Sequence, residues 1–159
     1  MKIAFFGDSL TAGRPGASYL EILGELFPDH ELLNYGRGGD ALADAQRLIG
    51  GLKPGLHYDM AFLWIGTNDV FMKVAATFTM LRTLRGQART SSTNTFGNTY
   101  RATLEELITR AGRVSTVSPW FVGEDIGNPW NQELDELSAV VERLSSCYDV
   151  VSFIDLRAV

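Results

Sequence analysis

The chain has 159 residues, 45% of them apolar and 21% charged, with a net charge of −5. That length supports one domain with a sizeable core, and the composition is that of a globular chain rather than a disordered one. The acidic balance argues against nucleic acid or an anionic membrane surface as partner. The single cysteine, Cys147, rules out an internal disulfide and a cysteine cluster for zinc. It lies near the end of an amphipathic pattern and is expected to be buried packing. No apolar run reaches the roughly 18–20 residues of a membrane helix, so no integral membrane segment is expected. Lys2 is followed at once by a short strand and polar turn residues rather than a leader. A cytoplasmic protein is expected.

Residues 2–6 form the first predicted strand, through the apolar run Ile3, Ala4, Phe5 and Phe6. It leads into Gly7-Asp8-Ser9-Leu10-Thr11-Ala12-Gly13. A helix-start pattern follows, with Ser18 as N-cap and Glu21 three residues on. The glycine-flanked stretch is therefore the turn between a first strand and a first helix, residues 19–27, which Pro28 stops. Strand two, residues 31–35, ends in Gly36-Arg37-Gly38-Gly39-Asp40. Asp40 is placed to cap a helix carrying Leu42, Ala45, Leu48 and Ile49, which Gly50 and Gly51 end. Strand three, residues 60–65, is apolar throughout, as a central parallel strand covered on both faces requires, with Trp64 in the core. It ends in Gly66-Thr67-Asn68-Asp69, and a helix is predicted over residues 70–81.

Residues 82–95 are rich in Thr, Ser, Arg and Gly and predict an exposed, mobile polar loop. A helix over residues 95–111 follows, with Gly112 as terminator, then strand four over residues 114–117. After a long connection, Asn131 is read as the cap of a last helix whose stripe is Leu134, Leu137, Val140, Val141 and Leu144. Strand five covers residues 150–154. Five strands alternating with helices predict an α/β fold, a three-layer α/β/α sandwich around a five-stranded parallel sheet. The flavodoxin-like order 2-1-3-4-5 places strand one at the centre beside strand three. There is no internal repeat and no domain-splitting linker, so residues 1–159 read as a single domain.

In that order the C-terminal ends of strands one, two and three lie side by side, which is where open α/β sheets hold their chemistry. Ser9, Gly39 and Asn68 stand just beyond those ends. A serine nucleophile needs donors aimed at the oxyanion of its tetrahedral intermediate. Ser9 and Gly39 each offer a backbone N–H, and Asn68 offers a side-chain amide. Asp8 either fixes the turn by accepting from nearby backbone N–H groups or tunes Ser9. Asp69 reads as a cap rather than a catalyst, and Gly66 as part of its turn. Arg14 and Arg37 read as solvated surface residues, with an anionic substrate as the alternative they could face. Phe71, Trp120, Phe121 and Trp130 are candidate walls of an acyl or sugar pocket, weighed against plain packing.

Gly7-Asp8-Ser9-Leu10, Gly36-Arg37-Gly38-Gly39 and Gly66-Thr67-Asn68-Asp69, in that order at successive strand ends, resemble the SGNH (GDSL) hydrolase family. The resemblance covers roughly residues 1–70 by motif and the rest by fold pattern. It implies a serine ester hydrolase of esterase, lipase or deacetylase type, acting on a small ester through an acyl-Ser9 intermediate. Ser9 is then the nucleophile, Gly39 and Asn68 are the further oxyanion donors, and neither metal nor cofactor is used. The turn differs from the G-x-S-x-G elbow of α/β-hydrolases, since Thr11 stands where the second glycine would be.

Such an enzyme needs a general base, which the family takes from an Asp-x-x-His motif beyond strand five. This sequence has only His30 and His57, neither with Asp three residues before it. Both precede strands, at the end of the sheet opposite Ser9. The expectation is therefore a hydrolase core that lacks its catalytic histidine, with the family's final loop and helix missing and little or no activity of its own. The apolar sheet face left beside helix one would be covered by a homodimer partner or a retained C-terminal fragment. Two other readings stay open: a catalytically dead binding module with a hydrolase-like cleft, and a flavodoxin-like phosphate or nucleotide binder using residues 7–13 as a cradle.

Overall fold

Apolar runs too short for helices and bounded by glycine turns become the strands of one parallel sheet. The computed structural model describes residues 1–14, 16–74, 80, 84, 93–123 and 125–157. In chain order the elements are β1 (Lys2–Gly7), α1 (Ser9–Ala12), α2 (Tyr19–Leu26), β2 (Glu31–Asn34), α3 (Leu42–Gly50), β3 (Tyr58–Trp64), α4 (Thr67–Val74), α5 (Thr93–Arg110), β4 (Ala111–Val117), α6 (Pro129–Ser145) and β5 (Val151–Ile154). The sheet order is β2-β1-β3-β4-β5, parallel at every pairing. This is the predicted flavodoxin-like order. Register pairs Phe5 with Phe62 and Gly7 with Trp64 across the two central strands, so the residues that follow β1 and β3 emerge together.

Side chains alternate across the strands and divide the interior in two. On one face Ala4, Phe6, Ala61, Leu63 and Val114 pack under apolar stripes of α3, α5 and α6, including Ile49, Leu104, Leu107, Leu137 and Val141. On the other face Ile3 and Phe5 pack with Leu20, flanked by Tyr19, Leu23, Leu32, Met60 and Phe62. Phe5 and Phe62 stack with centroids 4.8 Å apart. Among the described residues, α2 is the only helix contributing to this second cluster. Beside it runs an apolar groove of about 270 Å³ lined by Phe5, Leu23, Phe27, His30, Met60 and Phe62, among others.

Several local expectations are corrected. Ser9–Ala12 forms a short helix of its own where only a turn was expected. Ser18 is the N-cap of α2 but makes no side-chain capping bond. Asp40 is not the cap of α3. That position is Ala41, and its N–H donates to the Asp44 carboxylate at 3.1 Å. Helix α5 ends at Arg110 and β4 starts at Ala111, so Gly112 lies inside the strand rather than ending the helix. Asn128, not Asn131, caps α6, accepting from the Asn131 N–H at 2.9 Å with Pro129 in the first turn. Cys147 is exposed rather than buried. The polar stretch 82–95 lies mostly outside the described residues, apart from 84 and 93–95. The last three open α5. Helix α4 is described to Val74, and the rest of the helix predicted there lies outside the described residues except residue 80.

Candidate active site

Three turns meet at the C-terminal edge of β2, β1 and β3, and hydrogen bonds tie them into one body. The first is the tight passage from β1 into α1. Asp8 is its N-cap, and its Oδ1 accepts from the Leu10 N–H at 2.9 Å. That satisfies a donor which the start of a helix leaves open. The turn needs glycine at position 7 for closeness: a Cβ there would stand 2.2 Å from Thr11 Oγ1 and 2.5 Å from the Trp64 carbonyl oxygen. Ser9 therefore begins α1 directly above the central strands, half-buried.

The second turn leaves β2. The Asn34 side chain donates to the Thr11 carbonyl at 3.0 Å and accepts from the Gly36 N–H at 2.9 Å. The Arg37 N–H donates to the Gly7 carbonyl at 3.0 Å. These bonds lash the glycine-rich turn against α1. Gly39 then takes φ 81, a left-handed conformation that glycine adopts without strain. The third turn leaves β3. The Gly66 carbonyl accepts from the Asp69 N–H at 3.1 Å, and α4 starts at Thr67. Asn68 is buried inside its first turn.

The Asn68 amide is where the three turns join. Its Nδ2 donates to the Asp40 carbonyl at 2.8 Å and stands 3.5 Å from Asp8 Oδ2. It thus touches the residue before Ser9 and the residue after Gly39. Asp69 lies beneath, buried, and its Oδ2 accepts from the Leu42 N–H at 3.0 Å. It acts as a cap, as its chemistry suggested, but for α3 rather than for its own helix. Asp8, Asp40 and Asp69 are all buried. Burial, with Asp69 and Asp40 adding, pushes the Asp8 carboxyl up from 3.8 to about 6. Tyr19, whose hydroxyl reaches Thr11 Oγ1 at 3.5 Å, is likewise pushed up by burial.

The aromatic candidates form pairs. Phe71 in α4 meets Trp130 in α6 edge-to-face at 5.9 Å. Trp120 meets Phe121 edge-to-face at 6.3 Å in the connection after β4. Trp120 and Trp130 remain 41% and 39% exposed, too much for core packing alone. Trp64 is half-buried, donates its indole N–H to the Ser118 carbonyl at 3.0 Å, and meets Tyr19 at 5.8 Å. Arg157 was not singled out in the sequence. Its guanidinium lies 4.0 Å from the Phe121 ring centroid, pairs with Asp135, and donates to the carbonyls of Pro119 and Asn131. Nothing local could have found it, since its partners lie more than twenty residues away. Arg14 and Arg37 are exposed.

The two histidines stand at the other end of the molecule. His30 immediately precedes β2, against Phe27, and His57 immediately precedes β3. In a parallel sheet the length of β1 separates them from Ser9, about 20 Å at the usual rise per residue. Among the described residues, no group of three or more His, Cys, Asp or Glu could hold a metal ion. No helix among them is long and apolar enough to cross a membrane.

The fold is shared with solved structures. Axe2, an acetylxylan esterase from Geobacillus stearothermophilus, superposes with a TM-score of 0.81 at 19% identity, over 99% of this chain and 76% of that one. Catalytic mutants of Axe2 replace a serine, an aspartate and a histidine with alanine. LAE5, an alpha/beta hydrolase enzyme from the metagenome of Lake Arreo, Spain, superposes with a TM-score of 0.74 at 18% identity, over 92% of this chain and 72% of that one. At such identities the likeness is one of fold. No curated protein matches the sequence. A family model matches residues 5–159, nearly the whole chain, and with the three motifs in place at adjoining strand ends the chain belongs to the GDSL-like lipase/acylhydrolase family.

Proposed function

We propose that the site is that of a serine ester hydrolase in which Ser9 attacks the ester carbonyl carbon. The oxyanion that forms would be met by the backbone N–H groups of Ser9 and Gly39 and by the Asn68 amide. Collapse of the tetrahedral intermediate expels the alcohol and leaves an acyl-Ser9 ester, which water then hydrolyses. The observation that carries this reading is the Asn68 Nδ2, 2.8 Å from the Asp40 carbonyl and 3.5 Å from Asp8 Oδ2. One donor thereby adjoins both other turns. Asp8, Gly66 and Asp69 have supporting roles, holding Ser9 and Asn68 in place.

Family membership and the Axe2 fold likeness support short acyl esters, with acetylated carbohydrate as the favoured class. The exposed faces of Trp120 and Trp130, beside Phe71 and Phe121, suit a sugar ring as well as an acyl chain.

Proton transfer from Ser9 is the weak step. His30 and His57 lie at the far end of the sheet, so residues 1–159 supply no imidazole to Ser9. Loss of a triad histidine costs roughly 10⁶ in kcat, and the expectation for these residues alone is near-inactivity. That same observation favours a second reading, a binding module that holds esters without turning them over. A fluorophosphonate probe separates the two. Covalent labelling that disappears in Ser9→Ala supports the nucleophile, whereas labelling that persists in that variant removes Ser9 from the role. Ester binding with no labelling even at raised pH, where hydroxide takes the place of the absent base, favours the binding module.

A further inference from the structure

We infer that Asp8 is a positioning residue for the oxyanion hole, whose carboxylate sets the orientation of the Asn68 amide and whose protonation releases it. The inference rests on the reading of Ser9 and Asn68 given above. Its first support is geometric. The Asp8 carboxylate divides its two oxygens between the two donors: Oδ1 accepts from the Leu10 N–H and so fixes the turn of Ser9, and Oδ2 faces Asn68 Nδ2 at 3.5 Å. Asn68 Nδ2 carries two hydrogens. The short bond to the Asp40 carbonyl, 2.8 Å, anchors one. The other is directed by Asp8 across a distance near the limit of a hydrogen bond. It is oriented there without being fully engaged, which is the state a donor must be in to be handed to a developing oxyanion.

The second support is environment. The groups that face Asp8 are Asp40 from the turn after β2, Asp69 from α4 and the Tyr19 hydroxyl from α2. Two are acids and one is a neutral phenol at ordinary pH, so burial and the two acids together outweigh the Leu10 N–H bond, which favours the ionised form, and raise the Asp8 carboxyl. It is pushed up from 3.8 to about 6. A protonated Oδ2 is a poorer acceptor and directs its own hydrogen toward the Asn68 donor. The amide then has only the Asp40 carbonyl to orient it. A purely structural cap would need neither the second oxygen aimed at Asn68 nor burial among acids, because an exposed aspartate caps a helix equally well.

The test reads Asn68 directly and does not depend on turnover. The side-chain amide resonances of Asn68 are identified by their loss in Asn68→Ala and followed by NMR from about pH 4 to about pH 8. They are expected to shift with a midpoint near 6, and this titration is expected to vanish in Asp8→Asn. That variant keeps an oxygen for the Leu10 N–H but sets an NH₂ group against Asn68. Its fluorophosphonate labelling rate at neutral pH is expected to fall by about tenfold to a hundredfold, the scale of a misplaced catalytic group. An Asn68 amide that does not titrate in the native chain overturns the inference, as does a titration that survives in Asp8→Asn. Labelling that persists in Ser9→Ala refutes the esterase reading instead, and leaves the amide titration to decide the coupling between Asp8 and Asn68.

Discussion

Replacing Asp8 with asparagine should make the fold more stable at neutral pH, although the residue adjoins Ser9. The carboxyl is buried beside two other buried acids, and its value rises from 3.8 unfolded to about 6 folded. The folded state therefore binds the Asp8 proton more tightly than the unfolded state does. Between those two values stability falls as pH rises, and above about 6 the ionised group carries its full penalty. The difference corresponds to about 3 kcal/mol. Asp8→Asn removes the charge and keeps an oxygen for the Leu10 N–H. It also sets an NH₂ group against the Asn68 amide, a mismatch costing on the order of 1 kcal/mol. A net gain of about 1–2 kcal/mol is expected at pH 8, shrinking as pH falls and gone near pH 4. For a domain of this size that is a rise of roughly 2–8 °C in Tm at the higher pH. Chemical denaturation of both proteins at several pH values measures it. A variant less stable than the native chain at pH 8, or an offset that does not change with pH, would refute the reasoning. The result would place stored strain at the site itself, where function commonly requires it.

Asn68→Ala should lower the rate of Ser9 acylation by about 10²–10³, the cost of one oxyanion donor. An effect below about threefold in stopped-flow labelling would take Asn68 out of that role. Gly36→Ala should separate the β2 turn from α1, because the new Cβ would lie 2.4 Å from Ala12 N and 2.6 Å from Thr11 C, both backbone atoms. A loss of about 1–3 kcal/mol is expected in urea unfolding, and an unchanged midpoint would contradict the contact. Arg157→Met should keep much of the packing on Phe121 while leaving the Pro119 and Asn131 carbonyls without their donor. It should cost about 1–3 kcal/mol and speed amide hydrogen exchange in the connection after β4, and unaltered exchange there would show that the clamp does not hold that loop.

Much of this protein was legible without coordinates, and for a local reason. Strand periodicity, the glycines that end strands and the order of three short motifs are all carried by neighbouring residues. The parallel order 2-1-3-4-5 follows from alternation of element types and the handedness of crossovers. That order alone brings Ser9, Gly39 and Asn68 to adjoining strand ends. The histidines could be placed at the far end for the same reason, since each directly precedes a strand.

What tertiary structure alone decided is which group answers which. Asp69 has the composition of a cap, but only the packing of α4 against the start of α3 shows that it serves Leu42. Asn128 and Asn131 are equally good caps in sequence, and Asn131 is drawn away because its side chain binds the backbone of Val122. Arg157 finds Phe121 and Asp135 only once β5 lies beside β4. The state of Asp8 depends first on its burial and then on two acids that arrive from different turns. Local pattern sets elements and their order because the forces that choose them act over a few residues. Caps, buried charges and clamps are satisfied by whichever partner folding brings within about 3 Å, and that partner is read only from the folded chain.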